Sequence, residues 1–425
     1  MRILIVGFST RAIAESAVRG GYDVVTIDYF GDRDQKELVE NHSLMRDFQL
    51  DFSAEALLEA SRRLNFQAVV YTSSLENHPN VVENLARGHT LLGNSPSTLR
   101  RVRDWGHLQS VCRQENIAHP VTLFPGEEEQ ARGSRRWVSK PARSGGGHGI
   151  SFWRGGALGE GRVLQEWIAG GACSAAFVSD GRRCVLLGLT EQLIGRGELG
   201  TQRFTWCGNI LPLSLSTPKI SSSRKARGGL SNPPPPAGFG NPAGAFRDVL
   251  KMETVIEAVR EMAEKLTRSF GLRGVNGVDF VLGRNERGPV PYLVEVNPRY
   301  TASMELVEWA YGLNVFDVHV RSFDGALPAF HLEDRLLPRP ASYYGKAIVY
   351  AGHDGTMPET AGWRAKGRRD IPFPGEKIAA RHPICTVLAQ GETRDECWRR
   401  LLVAAEMVRR EVGEPMRNEE DDDHV

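Results

Sequence analysis

The stretch from Val275 to Thr301, VNGVDFVLGRNERGPVPYLVEVNPRYT, constrains the fold of this chain more than any other. Val278–Leu282 and Tyr292–Val296 are apolar runs. Gly283, Asn285, Gly288 and Pro289 supply turn residues between them, which reads as a β-hairpin. Side chains alternate across a strand, so Glu295 and Asn297 share one face. Folding the hairpin at Glu286–Gly288 sets Asp279 roughly opposite Glu295. Like charges facing each other across a strand pair destabilise it. A divalent cation reverses that sign, and two carboxylates with an amide oxygen are a hard oxygen set suited to Mg²⁺.

At 425 residues the chain is long enough for several domains. Its 53 Lys and Arg nearly balance 52 Asp and Glu, so bulk charge points to neither nucleic acid nor a membrane surface as partner. The six cysteines include no C-x-x-C pair. They read as reduced thiols of a cytoplasmic protein, not as a disulfide frame or zinc site. No run is long and apolar enough to suggest a membrane span or signal peptide.

Residues 1–95 alternate strand and helix: Arg2–Val6, Tyr22–Ile27, Gln67–Tyr71 and Thr90–Leu92 as strands, Ala54–Leu64 and Val81–Arg87 as helices. This rhythm predicts an open parallel sheet. Gly7 and Asp28 fit a dinucleotide fingerprint, but Ser9 and Ala12 stand where its second and third glycines belong, which argues against nicotinamide. After the capping turn Asn94–Ser97, helices are expected over Ser97–Val102 and Trp105–Glu115. The strand ending at Lys140 runs into Ser144-Gly145-Gly146-Gly147-His148-Gly149. Such a loop offers free backbone N–H groups to phosphate oxygens, with Lys140 as a point charge beside them. It is not a P-loop, since no G-K-[ST] opens a helix. Val163–Ile168 reads as a strand. Residues 214–244 hold six Ser, six Pro and five Gly and read as a flexible insertion. Asp248–Phe270 has helical apolar spacing and stops at Gly271. Lys346–Tyr350 and Pro383–Ala389 are strands, Thr393–Val412 a helix, and 416–425 an acidic tail.

The order of these parts, with Gln165-Glu166-x-Ile168, Asp279-Phe280-Val281-Leu282 and Glu295-Val296-Asn297-Pro298-Arg299, resembles the ATP-grasp superfamily. Within it, the chain is similar to ligases distantly related to biotin carboxylase and carbamoyl-phosphate synthetase. The resemblance implies α/β and α+β architecture: a Rossmann-like parallel-sheet domain (1–95), an ATP-grasp domain of two α+β subdomains (96–328) and a small C-terminal α+β domain (329–415). It implies ATP with Mg²⁺, or Mn²⁺, held by Asp279, Glu295 and Asn297. Lys140 would contact the phosphates, Gly145, Gly146, Gly147 and Gly149 would form a lid, and Gln165, Glu166, Trp167 and Ile168 would line the hinge beside adenine. Arg299 would face the transferred phosphoryl group or its acceptor. A lid role is also expected for 191–213, with Glu191, Arg196 and Arg203 as candidate binding residues.

Many members of the superfamily carry an Asp-Lys pair whose lysine contacts ATP. Here that region reads Arg103-Asp104-Trp105, leaving Arg103 or Arg101 to supply the charge. The implied activity is ligation of a small carboxylate to an amine through an acyl phosphate; a homodimer is expected only from the commonness of twofold assemblies. The alternatives are a carboxylase or carbamoyl-phosphate-type enzyme using bicarbonate, and a nucleotide-binding protein without turnover. Nothing in the chain selects the substrate.

Overall fold

The computed structural model of the protein describes residues 1–131, 133, 135–215, 242–286 and 288–414, with backbone only at 242–249. The acidic tail, and the 214–244 insertion apart from its two ends, lie outside these described residues.

Five short parallel strands open the chain: β1 (Ile3–Val6), β2 (Val24–Asp28), β3 (Glu40–Ser43), β4 (Ala68–Tyr71) and β5 (Thr90–Leu91). They lie in the order β3-β2-β1-β4-β5. β1, β2 and β4 are buried along their whole length because helices cover both sheet faces. The strand order reverses between β1 and β4, and a crevice opens outside the carboxyl ends there. β3 lacks an apolar run and was not expected from the sequence. Asp28 is used internally: it accepts from Thr10 Oγ1 at 2.7 Å and from the Gly31 N–H at 2.9 Å. Ser95 caps the helix Pro96–Val102 through the Thr98 N–H at 3.2 Å, with Pro96 in the first turn as expected.

The next strands, β6 (Thr122–Leu123), β7 (Trp137–Pro141), β8 (Ser151–Phe152) and β9 (Arg162–Glu166), form an antiparallel sheet in the order β6-β9-β7-β8. A third sheet contains β10 (Gly171–Asp180), β11 (Cys184–Ile194), β12 (Trp206–Leu211), β13 (Arg273–Asn285), β14 (Gly288–Asn297) and β15 (Tyr343–Tyr350). β16 (Gly355–Thr356) and β18 (Lys377–Ile378) pair with each other, while β17 (Arg368–Arg369) and β19 (Pro383–Gly391) complete the large sheet. Its order is β14-β13-β10-β11-β12-β15-β19-β17. β15, β19 and β17 therefore continue the sheet that carries the hairpin. β12 sits in its middle, so the lid role expected for 191–213 fails for Trp206–Leu211: both edges of that strand are taken by ladder hydrogen bonds. The helix Pro242–Phe270 lays Val255, Val259, Ala263, Leu266 and Phe270 against this sheet as fully buried side chains. Among the described residues no helix is long and apolar enough to cross a membrane.

Two buried polar knots join the parts. Asn94, just after β5, donates to Asn276 Oδ1 at 2.8 Å and to the Pro298 carbonyl at 3.0 Å, and accepts from the Arg273 N–H at 2.9 Å. Arg11 is 2% exposed, pairs with Asp370 at 2.9 Å and also bonds Glu305, whose carboxylate takes Lys346 as well. Asp34 accepts the Ile371 N–H at 2.9 Å, docking the 370 loop on the first domain.

His319 closes a third junction. Its Nδ1 accepts from the Val275 N–H at 3.0 Å and its Nε2 lies 3.0 Å from the Leu92 carbonyl. Burial pushes its pKa down to about 4, although the Leu92 bond pulls the other way. A second ring proton has no acceptor, since Nδ1 already faces a donor. The unfolded chain binds that proton first, so the stabilisation is complete above the ordinary histidine range and is lost as pH falls toward 4. We expect His319→Gln to remove about 2 kcal/mol of the stability lost between about pH 7 and pH 4.5, read from urea unfolding at the two pH values.

Candidate active site

The hairpin forms with Asp279 paired to Glu295 and Gly277 to Asn297. Period-two alternation then brings all three polar side chains to one face. Asn297 Nδ2 donates to Asp279 Oδ2 at 2.9 Å, and Gln192 Nε2, reaching from β11, donates to Asp279 Oδ1 at 2.9 Å. Burial first, then the charge of Glu295, push Asp279 up to about 7. Burial also raises Glu295, but Arg103 and Lys140 outweigh it and hold that carboxyl below its ordinary value.

Three cations face these acids. Lys140, 7% exposed at the end of β7, donates to Gln165 Oε1 at 2.9 Å and lies 4.1 Å from the centre of the Trp105 ring. Burial lowers it to about 8, against the pull of Glu295. Arg103 bonds Glu295 directly. Arg101 turns away, with its guanidinium on the Ser269 carbonyl and over the Phe270 ring. Arginines two apart at a helix end point to opposite sides, so only one reaches the hairpin. Arg299 donates to Asn297 Oδ1 at 3.2 Å and pairs with Glu76 at 2.8 Å. Trp105 thus carries no charge itself but floors Lys140.

The glycine loop closes on the segment after β11. Gly146, Gly147 and Gly149 have φ of 65°, 80° and 72°, which disfavours side chains. A Cβ at Gly147 would overlap the Phe204 carbonyl, and Gly146 O accepts the Trp206 N–H at 3.0 Å. Phe152, Trp167 and Phe204 pack edge to face beside it, with Arg203 4.6 Å from the Phe152 ring.

Gln165 belongs to the cluster through Lys140. Glu166 does not reach it: its carboxylate lies 3.5 Å from Arg135, and its N–H donates to the Val121 carbonyl. Trp167 stays in the aromatic group, and Ile168 packs beside Gly283. Of the other candidates, Glu191 is gripped by Arg394 at 2.6 and 2.9 Å, and Arg196 lies over Trp398. Reasoning from the sequence missed Gln192 and Glu76 and left Arg103 undecided. Gln192 follows from strand register, whereas nothing local singles out Glu76.

Asp279, Glu295 and Asn297 fit a divalent cation. Burial and the repulsion between the opposed, half-buried carboxylates leave Asp279 raised despite the nearby cations, and 23% of the Glu295 side chain stays open to a ligand. Among the described residues no group of three His, Cys, Asp or Glu offers another metal set.

Residues 112–226 and 244–303 match the family of the ATP-grasp domain. Those residues are similar to an ATP-grasp domain, and the mixed α/β and α+β architecture fits that fold. It is 20% identical over 411 residues to an uncharacterized protein of Methanocaldococcus jannaschii, covering 92% of this chain and 88% of that one. Its fold is similar to the L-amino acid ligase from Bacillus licheniformis (TM-score 0.63, 15% identity, 95% and 97% of the two chains covered). It is also similar to the biotin carboxylase domain of Hydrogenobacter thermophilus 2-oxoglutarate carboxylase, solved with MgADP and bicarbonate (TM-score 0.63, 16% identity, 92% and 86% covered).

Gly147→Ala should open the loop, because the methyl group meets both the Phe204 carbonyl and a positive φ. We expect the KM for ATP to rise by about tenfold or more while thermal stability changes little, checked by steady-state ADP release and calorimetry.

Proposed function

We propose that the protein is an ATP-dependent ligase that joins a small-molecule carboxylate to an amine. One observation carries this reading: two opposed carboxylates, an amide and three cations converge where the hairpin meets the crevice of the parallel sheet. Mg²⁺ at Asp279, Glu295 and Asn297 would supply the charge that binds and screens ATP phosphates. Lys140 and Arg103 hold the β- and γ-phosphates, and Arg299 orients the acceptor carboxylate. One oxygen of that carboxylate attacks the γ-phosphorus as the bond to the ADP oxygen breaks, giving an acyl phosphate. The amine then attacks the acyl carbon, phosphate leaves, and the amine nitrogen loses a proton. Water would hydrolyse the acyl phosphate, so the docked glycine loop has a protective role. Mn²⁺ as a substitute metal, a cytoplasmic location and a homodimeric state belong to the same proposal. So do the boundaries 1–95, 96–328 and 329–415.

The similarity to a carboxylase domain solved with bicarbonate supports a second reading, in which bicarbonate is the phosphoryl acceptor. ADP release from Mg-ATP separates the two. Release that needs both an organic carboxylate and an amine supports the ligase, and release that needs only bicarbonate overturns it. No release with ATP still bound would favour a nucleotide-binding protein without turnover. We expect Glu295→Gln and Asn297→Ala each to lower kcat by roughly 100-fold or more without unfolding the protein. Lys140→Ala should raise the KM for ATP and lower kcat together; an unchanged response to ATP would remove Lys140 from the site.

A further inference from the structure

One short turn between two helices, Arg103-Asp104-Trp105, reaches three parts of the candidate site. Asp104 Oδ1 accepts the His107 N–H at 2.9 Å and caps the helix Trp105–Gln114, which fixes Trp105 in the first helical turn. Trp105 is 9% exposed, and its indole touches two separate segments. The ring face lies 4.1 Å from Lys140 Nζ, and Nε1–H donates to the Ala142 carbonyl at 3.0 Å. An indole offers a π face to a cation and a ring N–H to a carbonyl at once. Arg103 bonds Glu295 from the same turn.

Both partners of the indole belong to the proposed nucleotide side. An ammonium has three N–H donors. One from Lys140 goes to Gln165 Oε1 at 2.9 Å, and the Gln165 amide is itself held by Thr122 Oγ1 at 3.1 Å. The indole closes a second flank, so these two neighbours set the direction left open to Lys140. Ala142 stands two residues before Ser144, at the root of the glycine loop. Its own N–H donates to the carbonyl of Gly161, the residue before β9, at 2.8 Å. The root is therefore held by Gly161 on one side and by Trp105 on the other.

Resting on the ATP-dependent reading above, we propose that Trp105 is a positioning residue for bound ATP. Its ring face aims Lys140 at the phosphates, and its ring N–H ties the root of the glycine loop to that lysine. The two contacts use different atoms, so substitution separates them. Trp105→Phe keeps a π face and loses the donor, whereas Trp105→Leu loses both. A side chain that merely filled its place in the core would affect ATP and adenosine alike, since adenosine carries no phosphate for Lys140 to meet.

The test uses the full chain as wild type, Trp105→Phe and Trp105→Leu. Calorimetric titration with a non-hydrolysable ATP analogue and Mg²⁺, and with adenosine, gives the preference for phosphates as a ratio of two Kd values. Limited trypsin digestion read by mass spectrometry gives the cleavage rate after Arg143, the exposed residue between Ala142 and Ser144. We expect Trp105→Phe to speed that cleavage by about fivefold or more while the ratio stays within about threefold of wild type. Trp105→Leu should speed the cleavage as much and lower the ratio by about tenfold or more. Unchanged cleavage in Trp105→Phe, an unchanged ratio in Trp105→Leu, or no binding of the ATP analogue by the wild type would overturn the assignment. Should Trp105→Leu unfold, the digest of Trp105→Phe decides alone. Neither readout needs turnover: both expected changes, with ADP release that needs only bicarbonate, would keep the role of Trp105 and reject the ligase.

Discussion

Asp279 and Glu295 face each other across adjacent strands, and the surrounding structure is arranged around the electrostatic cost of that pairing. Two carboxylates facing each other inside a protein cannot both ionise freely without nearby positive charge. Asp279 accordingly sits near neutrality in its titration, while Glu295 stays ionised because Arg103 touches it. The asymmetry has a local cause. Among the described residues Asp279 receives only amide donors, from Asn297 and Gln192, and amides carry no net charge. A divalent ion placed between the two would complete what Arg103 and Lys140 do in part.

Each of those cations is delivered by a different part of the chain. Lys140 comes from the small antiparallel sheet, Arg103 from the helix that leaves the parallel-sheet domain, and Arg299 from the hairpin's own exit. The site therefore exists only when three sheets are correctly placed, and the buried polar knots perform that placement. Asn94 ties the first domain to the hairpin base through bonds on both its oxygen and its nitrogen. Arg11, Glu305, Lys346 and Asp370 tie the same domain to the strands that extend the large sheet. Buried ion pairs add little net stability over apolar packing, but losing one partner strands the other. Their value here is positional, because a charged group has few geometries in which it is fully paired, whereas apolar surfaces can slide.

On the ligase reading, such an arrangement suits chemistry on an activated acid. The carboxylate face and the crevice side meet at Asn297–Arg299, so one short segment touches both. The glycine loop lies over the other flank, held by backbone contacts that only glycine permits. Phosphoryl transfer asks for positioned charge more than for one residue type. On that reading Arg103, two residues before Trp105, would supply the charge, and the indole is left as a floor for Lys140.

Much of this was legible in the residue order. Alternation with period two puts Glu295 and Asn297 on one face, and folding the hairpin at 286–288 sets Asp279 opposite Glu295, the register that the strands adopt. The lysine strand, the glycine loop and the long amphipathic helix carried equally local signals, and the helix ended at Gly271 as its spacing required. The tertiary structure alone decided between Arg103 and Arg101, brought Gln192 to Asp279 and Glu76 to Arg299, and threaded β12 and the last strands into one continuous sheet. These contacts join segments far apart in the chain, and no periodicity or capping rule records them. A sequence specifies local conformation through nearest neighbours, whereas charge pairing across a crevice depends on where separate sheets come to rest.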